Sequence, residues 1–303
     1  MIPYKIQEIL KNRHYHIVGK HSAVKLCLWT KKSILDEGFC YKEKFYGIRS
    51  HRCLQMSPAV IWCTHRCIHC WRYMHNIDLK FDNTKIDEPE FIVENSINAQ
   101  RILLSGYGGI PDRINLKKYE ESKIPNQAAI SLSGEPTLYP RISELIEEFH
   151  KRGFTTFLVT NGTLPERIRN LDELPTQLYL SLNAPDEETY KIVCRPLIRD
   201  GWSRITETLE VLKSIETRSV IRITLIKDVN DRDIDGYGRL IERAEPDFVE
   251  VKAYMFVGES RRRLSLENMP SFQDVRKFSE ELSVEIGYDI RDYKEDSRVV
   301  LLA

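Results

Sequence analysis

The chain has 303 residues, 42% hydrophobic and 30% charged, and its 45 basic and 45 acidic side chains leave a formal net charge of zero. That size buries a full core without disulfide staples and suits one large α/β domain with an appendage, or two modest domains. It holds no run of about 18 apolar residues, so no segment is expected to span a membrane, and Met1-Ile2-Pro3-Tyr4-Lys5 lacks the apolar core of a secretion signal.

The expected compartment is therefore the cytoplasm. Thiols stay reduced there, so seven cysteines point to metal or catalysis rather than disulfides. Neutral overall charge argues against non-specific nucleic-acid binding, but the distribution is uneven. Residues 1–80 carry 14 Lys+Arg against 5 Asp+Glu, and the acidic excess falls on the rest. The same stretch holds six of the seven Cys and seven of the eight His. Soft ligands and positive charge coincide, which places a reactive centre and an anion-binding face together. A solvated charged surface explains the charge equally well.

In chain order, Ile6, Ile9 and Leu10 predict one face of a short opening helix, and His21–Trp29 reads as helix or loop. Strands are predicted at Ser57–Trp62, Ala128–Leu132, Thr155–Thr160, Gln177–Ser181, Val220–Ile226 and Phe248–Tyr254. Each is short, rich in β-branched or aromatic residues, and nearly continuous in apolar character, as buried parallel strands are. Helices are predicted between them. Glu88–Leu104 is expected to bury Phe91, Ile92, Ile97 and Leu104. Arg141–Arg152 is expected to bury Ile142, Leu145, Ile146 and Phe149 and to stop at Gly153. Glu187–Val193, Ser203–Ile215 and Ile234–Ala244 follow. The longest connection, Asn76–Lys123, carries an extra helix and the turn Gly106-Tyr107-Gly108-Gly109. A helix near Phe272–Leu282 and a strand at Arg298–Leu302 close the chain.

Six strand–helix units with right-handed crossovers imply an α/β fold, a partial (βα)6 parallel barrel. The reading assigns 1–56 to a cysteine-rich N-terminal extension, 57–257 to the barrel core and 258–303 to a short C-terminal α/β extension. No long exposed heptad appears, so a monomer is expected.

The chemistry is concentrated at Cys63-Thr64-His65-Arg66-Cys67-Ile68-His69-Cys70, a C-x3-C-x2-C spacing after a short apolar run. So tight a loop brings three thiolates onto one inorganic centre. Clusters of the [4Fe–4S] type usually take four cysteines, so three leave one iron open to a reactant. A Cys3His zinc knuckle, with His65 or His69 as fourth ligand, fits the octet too.

Barrel active sites lie at the C-terminal ends of strands. The second predicted strand is followed by Ser133-Gly134-Glu135-Pro136-Thr137, the third by Thr160-Asn161-Gly162, the fourth by Ser181-Leu182-Asn183. The fifth carries Arg222 and Thr224, the sixth Lys252 and Tyr254. Such polar groups suit ribose hydroxyls and a carboxylate. Each alone is more often a cap or a salt bridge, but four strand ends in register favour the barrel over the knuckle.

The octet and Ser133-Gly134-Glu135 resemble the radical S-adenosylmethionine (SAM) enzymes. The resemblance implies that Cys63, Cys67 and Cys70 hold a [4Fe–4S] cluster whose open iron binds SAM. It places Ser133, Gly134 and Glu135 at the SAM amine, with Ser133 replacing the family's first glycine. His69 is expected near the adenine.

Three further cysteines, Cys27, Cys40 and Cys53, with twelve residues between each and the next, precede the octet. With Phe45-Tyr46-Gly47-Ile48, Ser50–Pro58 and Ser131–Tyr139, they make the whole chain resemble the archaeal tRNA 4-demethylwyosine synthases. The resemblance implies a second [4Fe–4S] cluster on that triplet, making two, and condensation of N1-methylguanosine-37 of tRNA(Phe) with pyruvate. Lys42, two residues after Cys40, matches the family's Schiff-base lysine, with Lys44 and Arg49 nearby favouring a neutral amine. The alternative for Lys42 is a surface or RNA-phosphate lysine. An external donor of the flavodoxin or ferredoxin type is implied. Basic residues of the N-terminal segment, with Arg261–Arg263, are expected at tRNA phosphates, and Trp71 or Tyr73 at an extruded base. Cys194 is assigned to packing. Two alternatives stay open: another radical SAM enzyme with an auxiliary cluster, and a non-catalytic zinc-binding RNA module.

Overall fold

The computed structural model describes residues 1–73, 81 and 85–303. The opening of the long predicted connection Asn76–Lys123, through residue 84 apart from 81, lies outside the described residues. Two units are resolved by their contacts. One joins Met1–Cys63, Asn76–Val159 and Leu171–Thr176; the other joins Thr64–His75, Thr160–Asn170 and Gln177–Ala303.

The first unit opens with α1 (Tyr4–Asn12), which buries Ile6 and Leu10, then β1 (His16–Val18) and β2 (Ser22–Val24). The segment expected to be helix or loop thus contains a strand, whose three residues are all buried. Next come α2 (Leu28–Ile34), α3 (Tyr41–Tyr46), β3 (Cys53–Ser57), α4 (Pro89–Leu104), α5 (Leu116–Ser122), β4 (Gln127–Ile130), α6 (Ile142–Lys151) and β5 (Thr155–Thr160). The strands run in the order β1-β2-β3-β4-β5. β2 pairs antiparallel with β1 and β3, whereas β3, β4 and β5 are mutually parallel. All four residues of β4 are buried, as a strand covered on both faces requires.

The first barrel strand starts four residues and ends five residues earlier than its apolar run suggested. Pro58 has no N–H to donate, so the ladder stops at Ser57. Ala59–Trp62 is instead a buried turn that carries the chain to Cys63. Cys53, last of the upstream triplet, opens β3 opposite Gln127.

The second unit contains α7 (Pro165–Arg169), β6 (Gln177–Ser181), α8 (Glu187–Cys194), α9 (Gly201–Ser214), β7 (Arg218–Leu225), α10 (Ile234–Ala244), β8 (Phe248–Ala253), α11 (Phe272–Ile286), β9 (Ile290–Lys294) and β10 (Val299–Leu302). β6, β7 and β8 are parallel, and β10 pairs antiparallel with both β8 and β9. The fold is α/β, as expected, but each unit mixes strand directions: antiparallel strands flank its parallel run.

The helices follow their apolar periodicity. α6 buries Ile142, Leu145, Ile146 and Phe149, and Gly153 lies just past its end at φ +74°. α4 departs from expectation in its buried face. That face is Ile92, Val93, Ser96, Ala99, Gln100 and Leu104, while Phe91 is exposed. α2, α4 and α5 share a small core of Leu26, Ile34, Leu104 and Tyr119.

Candidate metal centres

In the first unit the upstream triplet is gathered by two helix starts and a strand start. Cys27 precedes α2, Cys40 precedes α3, and Cys53 opens β3. All three are half-buried, and none is in a disulfide. Burial pushes the Cys53 thiol far up, the charges of Cys27 and Cys40 push it further, and Lys42 pulls it back. Three sulfurs and one amine thus share a neighbourhood, which the even spacing alone did not establish.

Ser50 braces this neighbourhood. Its Oγ accepts from the Cys40 N–H at 2.8 Å and donates to Glu43 Oε2 at 2.5 Å, while its own N–H donates to the same oxygen at 2.8 Å. Thr30 Oγ1 donates to the Ser50 carbonyl at 3.0 Å. Lys42 is only 8% exposed, which removes the surface-lysine alternative, and its Nζ sits 4.7 Å from the centre of the Phe157 ring on β5. Arg49 is exposed and directed at Glu121, 3.5 Å away.

The segment after β4 packs on the turn leading to Cys63. Ser57 Oγ donates to the Ser133 carbonyl at 2.5 Å, Ser133 Oγ donates to the Val60 carbonyl at 2.9 Å, and the Glu135 N–H donates to the Trp62 carbonyl at 2.7 Å. Gly134 lies between them at φ +72°, where a Cβ would fall 1.9 Å from the Ala59 carbonyl oxygen. Only glycine fits there. The buried Glu135 carboxylate accepts from the Thr137 N–H at 3.1 Å and its hydroxyl at 2.7 Å.

In the second unit the rest of the cysteine loop is held by its backbone. The Arg66 N–H donates to the Cys194 carbonyl at 3.0 Å, Ile68 N–H to Val193 at 2.8 Å, and Leu197 N–H to Thr64 at 2.8 Å. Cys67 and Cys70 are half-buried free thiols. A hydrogen bond with Cys194, together with burial, holds the Cys67 thiol well above its usual range. Burial and then the Cys67 charge push Cys70 up to about 11. A metal takes such thiols as thiolates and supplies the positive charge that stabilises them, so these two soft donors fit a metal centre. Burial keeps both imidazoles neutral: His65 is lowered to about 3 and His69 to about 4. His65 Nε2 is engaged by the Tyr190 hydroxyl at 2.8 Å. Among the described residues His69 Nδ1 is buried without a hydrogen-bond partner, an orphan that fits a ligand-lined site. One donor set does converge here, His65, Cys67 and Cys194, with ligand atoms within 4.8 Å of one another. Cys194 therefore touches the loop rather than merely filling space.

Comparison with known proteins shows the family of the chain. The model of the radical SAM superfamily matches residues 58–241, and that of wyosine base formation matches 243–303. An S-adenosyl-L-methionine-dependent tRNA 4-demethylwyosine synthase of Pyrococcus horikoshii is 56% identical over 99% of this chain and 89% of its own. The protein of that description from Methanocaldococcus jannaschii is 45% identical over 100% and 96%. The chain belongs to the S-adenosyl-L-methionine-dependent tRNA 4-demethylwyosine synthases. A solved structure of TYW1 with a lysine–pyruvate adduct bound matches at TM-score 0.90 and 44% identity, covering 100% of this chain and 96% of the other. The protein is thus a radical SAM enzyme of α/β fold, and membership implies SAM and a [4Fe–4S] cluster. The non-catalytic zinc-module reading falls with that membership.

Against this family background, several candidate SAM residues are already engaged by their neighbours. Asn161 Nδ2 donates to Thr64 Oγ1 at 2.8 Å and its Oδ1 accepts from Thr163, so Asn161 organises the residue that follows Cys63. Thr160 Oγ1 accepts from the Gly162 N–H at 3.1 Å. Ser181 ends β6 half-buried. Asn183 Oδ1 accepts from the Thr224 N–H at 2.9 Å, and the fully buried Asn230 bridges both residues through their carbonyls. Arg222 donates from Nε to Glu250 at 2.8 Å and lies 4.3 Å over the Tyr179 ring. Lys252 donates to the Ser297 carbonyl and Tyr254 to Ser260 Oγ. Thr64, Asn230 and Glu250 escaped the sequence reading. Only the partners they meet after folding mark them out.

Two of the RNA candidates make contacts within the chain. Trp71 is exposed, with the buried Arg72 guanidinium 3.8 Å above its ring. The basic triplet splits: Arg261 and Arg262 are exposed, but Arg263 turns onto the cysteine loop.

Proposed function

We propose that the protein condenses N1-methylguanosine-37 of tRNA(Phe) with pyruvate to form 4-demethylwyosine, in the cytoplasm, with electrons from an external flavodoxin- or ferredoxin-type donor. The observation that carries this reading is the buried Lys42 among Cys27, Cys40 and Cys53. A relative of this chain has been solved with a lysine–pyruvate adduct, and Lys42 is the lysine of this chain at its second sulfur centre.

Cys63, Cys67 and Cys70 would hold one [4Fe–4S] cluster and Cys27, Cys40 and Cys53 a second. When bound, the first supplies the electron that cleaves SAM to a 5′-deoxyadenosyl radical, and the second an open iron for an α-keto acid. The chain's own residues do the rest. The Lys42 amine attacks the keto carbon of pyruvate; a C–N bond forms, and the carbonyl oxygen leaves as water with two protons drawn from the nitrogen. Phe157 and the burial of α3 keep bulk water from that imine. Ser50 and Glu43 fix Cys40, and through α3 they fix the start of the Lys42 side chain. Ser133, Gly134 and Glu135 shape the backbone bed beside Cys63. His69 would meet the adenine, and Arg261 and Arg262 would meet RNA phosphates.

The test is anaerobic incubation with reductant, SAM, pyruvate and tRNA bearing N1-methylguanosine, followed by nucleoside analysis. A tricyclic nucleoside is expected, with about eight irons per chain. SAM cleavage without that nucleoside would assign the chain to another radical SAM reaction.

A further inference from the structure

The cysteine loop has almost no regular structure, so its carbonyls must find donors elsewhere. The carbonyls of Ile68, Cys70 and Trp71 find them in Gly258–Arg263, inside the stretch matched by the wyosine base formation model rather than the radical SAM model. Arg263 Nε donates to the Ile68 carbonyl at 3.1 Å and its Nη2 to the Cys70 carbonyl. The Glu259 N–H donates to the Trp71 carbonyl at 3.2 Å. Gly258, at φ +59°, lets the two backbones meet: a Cβ there would lie 2.4 Å from the Trp71 carbonyl oxygen. The turn is itself fixed, because Tyr254 donates to Ser260 Oγ at 3.0 Å and the Arg263 N–H to the Ser260 carbonyl at 2.9 Å.

We propose that Arg263 is a positioning residue for the SAM-cleaving centre: its planar fork clasps the Ile68–Cys70 backbone, and its fixed positive charge sets the reduction potential of the cluster held there. The proposal rests on the reading of Cys63, Cys67 and Cys70 as cluster ligands. Reduction adds negative charge to a cluster, so a guanidinium beside its thiolates stabilises the reduced state and raises the potential. The charge of Arg263 reaches Cys67, His69 and Cys70. Arg261 and Arg262, on the same turn but exposed, provide the contrast. Lysine could keep the charge but not the two-point grip.

The test uses the reconstituted full chain. Cys67→Ala and Cys70→Ala first identify the signal of this cluster by its loss from the electron paramagnetic resonance spectrum; if neither removes iron or signal, the ligand reading fails before Arg263 is at issue. Reductive titration of that signal should then show a lower midpoint potential in Arg263→Gln and a near-native one in Arg261→Gln. Arg263→Lys should keep most of the potential. Both Arg263 variants should lose iron to a chelator about tenfold faster, the scale of one charge-assisted hydrogen bond. Unchanged potential and unchanged chelation in Arg263→Gln would overturn the proposal. If the variants hold no iron at this loop, circular dichroism of the iron-free chain decides: a native spectrum supports the clasp, and a collapsed one assigns Arg263 to general folding and overturns it.

Discussion

Lys42 Nζ stands 4.7 Å from the centre of the Phe157 ring, an amine on α3 resting on a face presented by β5. A buried lysine normally needs a partner, and here the partners include an aromatic face and the Cys53 sulfur. Lys42→Ala should leave iron content and SAM cleavage intact and lower tricyclic product by more than about a hundredfold, the usual scale for losing a covalent catalyst. Borohydride should trap labelled pyruvate on the native chain and not on the variant. Full product from Lys42→Ala would remove the Schiff-base role.

Gly134 separates space from conformation. Its φ is +72° and a Cβ would overlap the Ala59 carbonyl, whereas a Cβ at Gly153, at φ +74°, would meet nothing within 4 Å among the described residues. Gly153→Ala should cost only the left-handed strain, about 1 kcal/mol in urea unfolding. Gly134→Ala should cost more than about 2 kcal/mol and lower iron occupancy, because the displaced turn leads into Cys63. Equal effects from the two substitutions would show that the Ala59 contact is slack.

The contrast between these glycines shows where sequence reading reached its limit. Apolar runs and their bounding turns placed β5 and β6 at Thr155–Thr160 and Gln177–Ser181, since burial on both faces leaves a continuous signature. The three-residue β1 and β2 carry too few positions to show a period, and Pro58 moved β3 because a missing N–H outweighs an apolar run. The cysteines were legible as residue types at set spacings, and Lys42 only through the family resemblance. What each charged group faces was not, since the partner of Arg222 lies on the neighbouring strand and that of Arg263 almost two hundred residues away.

Arg222 was a candidate for a SAM carboxylate, yet its Nε already serves Glu250, which is fully buried. Tyr179 donates to the other oxygen of Glu250 at 3.2 Å, and Gln177 donates to Tyr179 at 2.7 Å. Breaking one side of such a pair strands a buried charge. Glu250→Leu should therefore lower unfolding stability by about 3–5 kcal/mol, and adding Arg222→Leu should restore most of it. If Glu250→Leu leaves stability unchanged and alters only SAM affinity, Arg222 belongs to the ligand and not to the strand pair.

His21 supplies a pH dependence away from either centre. Its Nδ1 lies 2.6 Å from the Pro58 carbonyl and its Nε2 accepts from the Asp87 N–H at 2.9 Å. The neutral ring with the proton on Nδ1 satisfies both. A second proton would oppose the Asp87 N–H, and burial, first among the causes, lowers the pKa of the ring from 6.5 despite the Pro58 carbonyl and the Asp87 carboxylate. The unfolded chain takes up a proton near the ordinary value, about 6.5, which the native ring refuses until lower pH. The stabilisation is complete above that value and declines as pH falls toward the native pKa, at no more than about 1.4 kcal/mol per pH unit. Urea midpoints of the native chain should fall between pH 7 and 5 more steeply than those of His21→Gln, which keeps polar contacts but has no proton to gain. Parallel pH profiles for the two chains would show that His21 titrates normally in the fold.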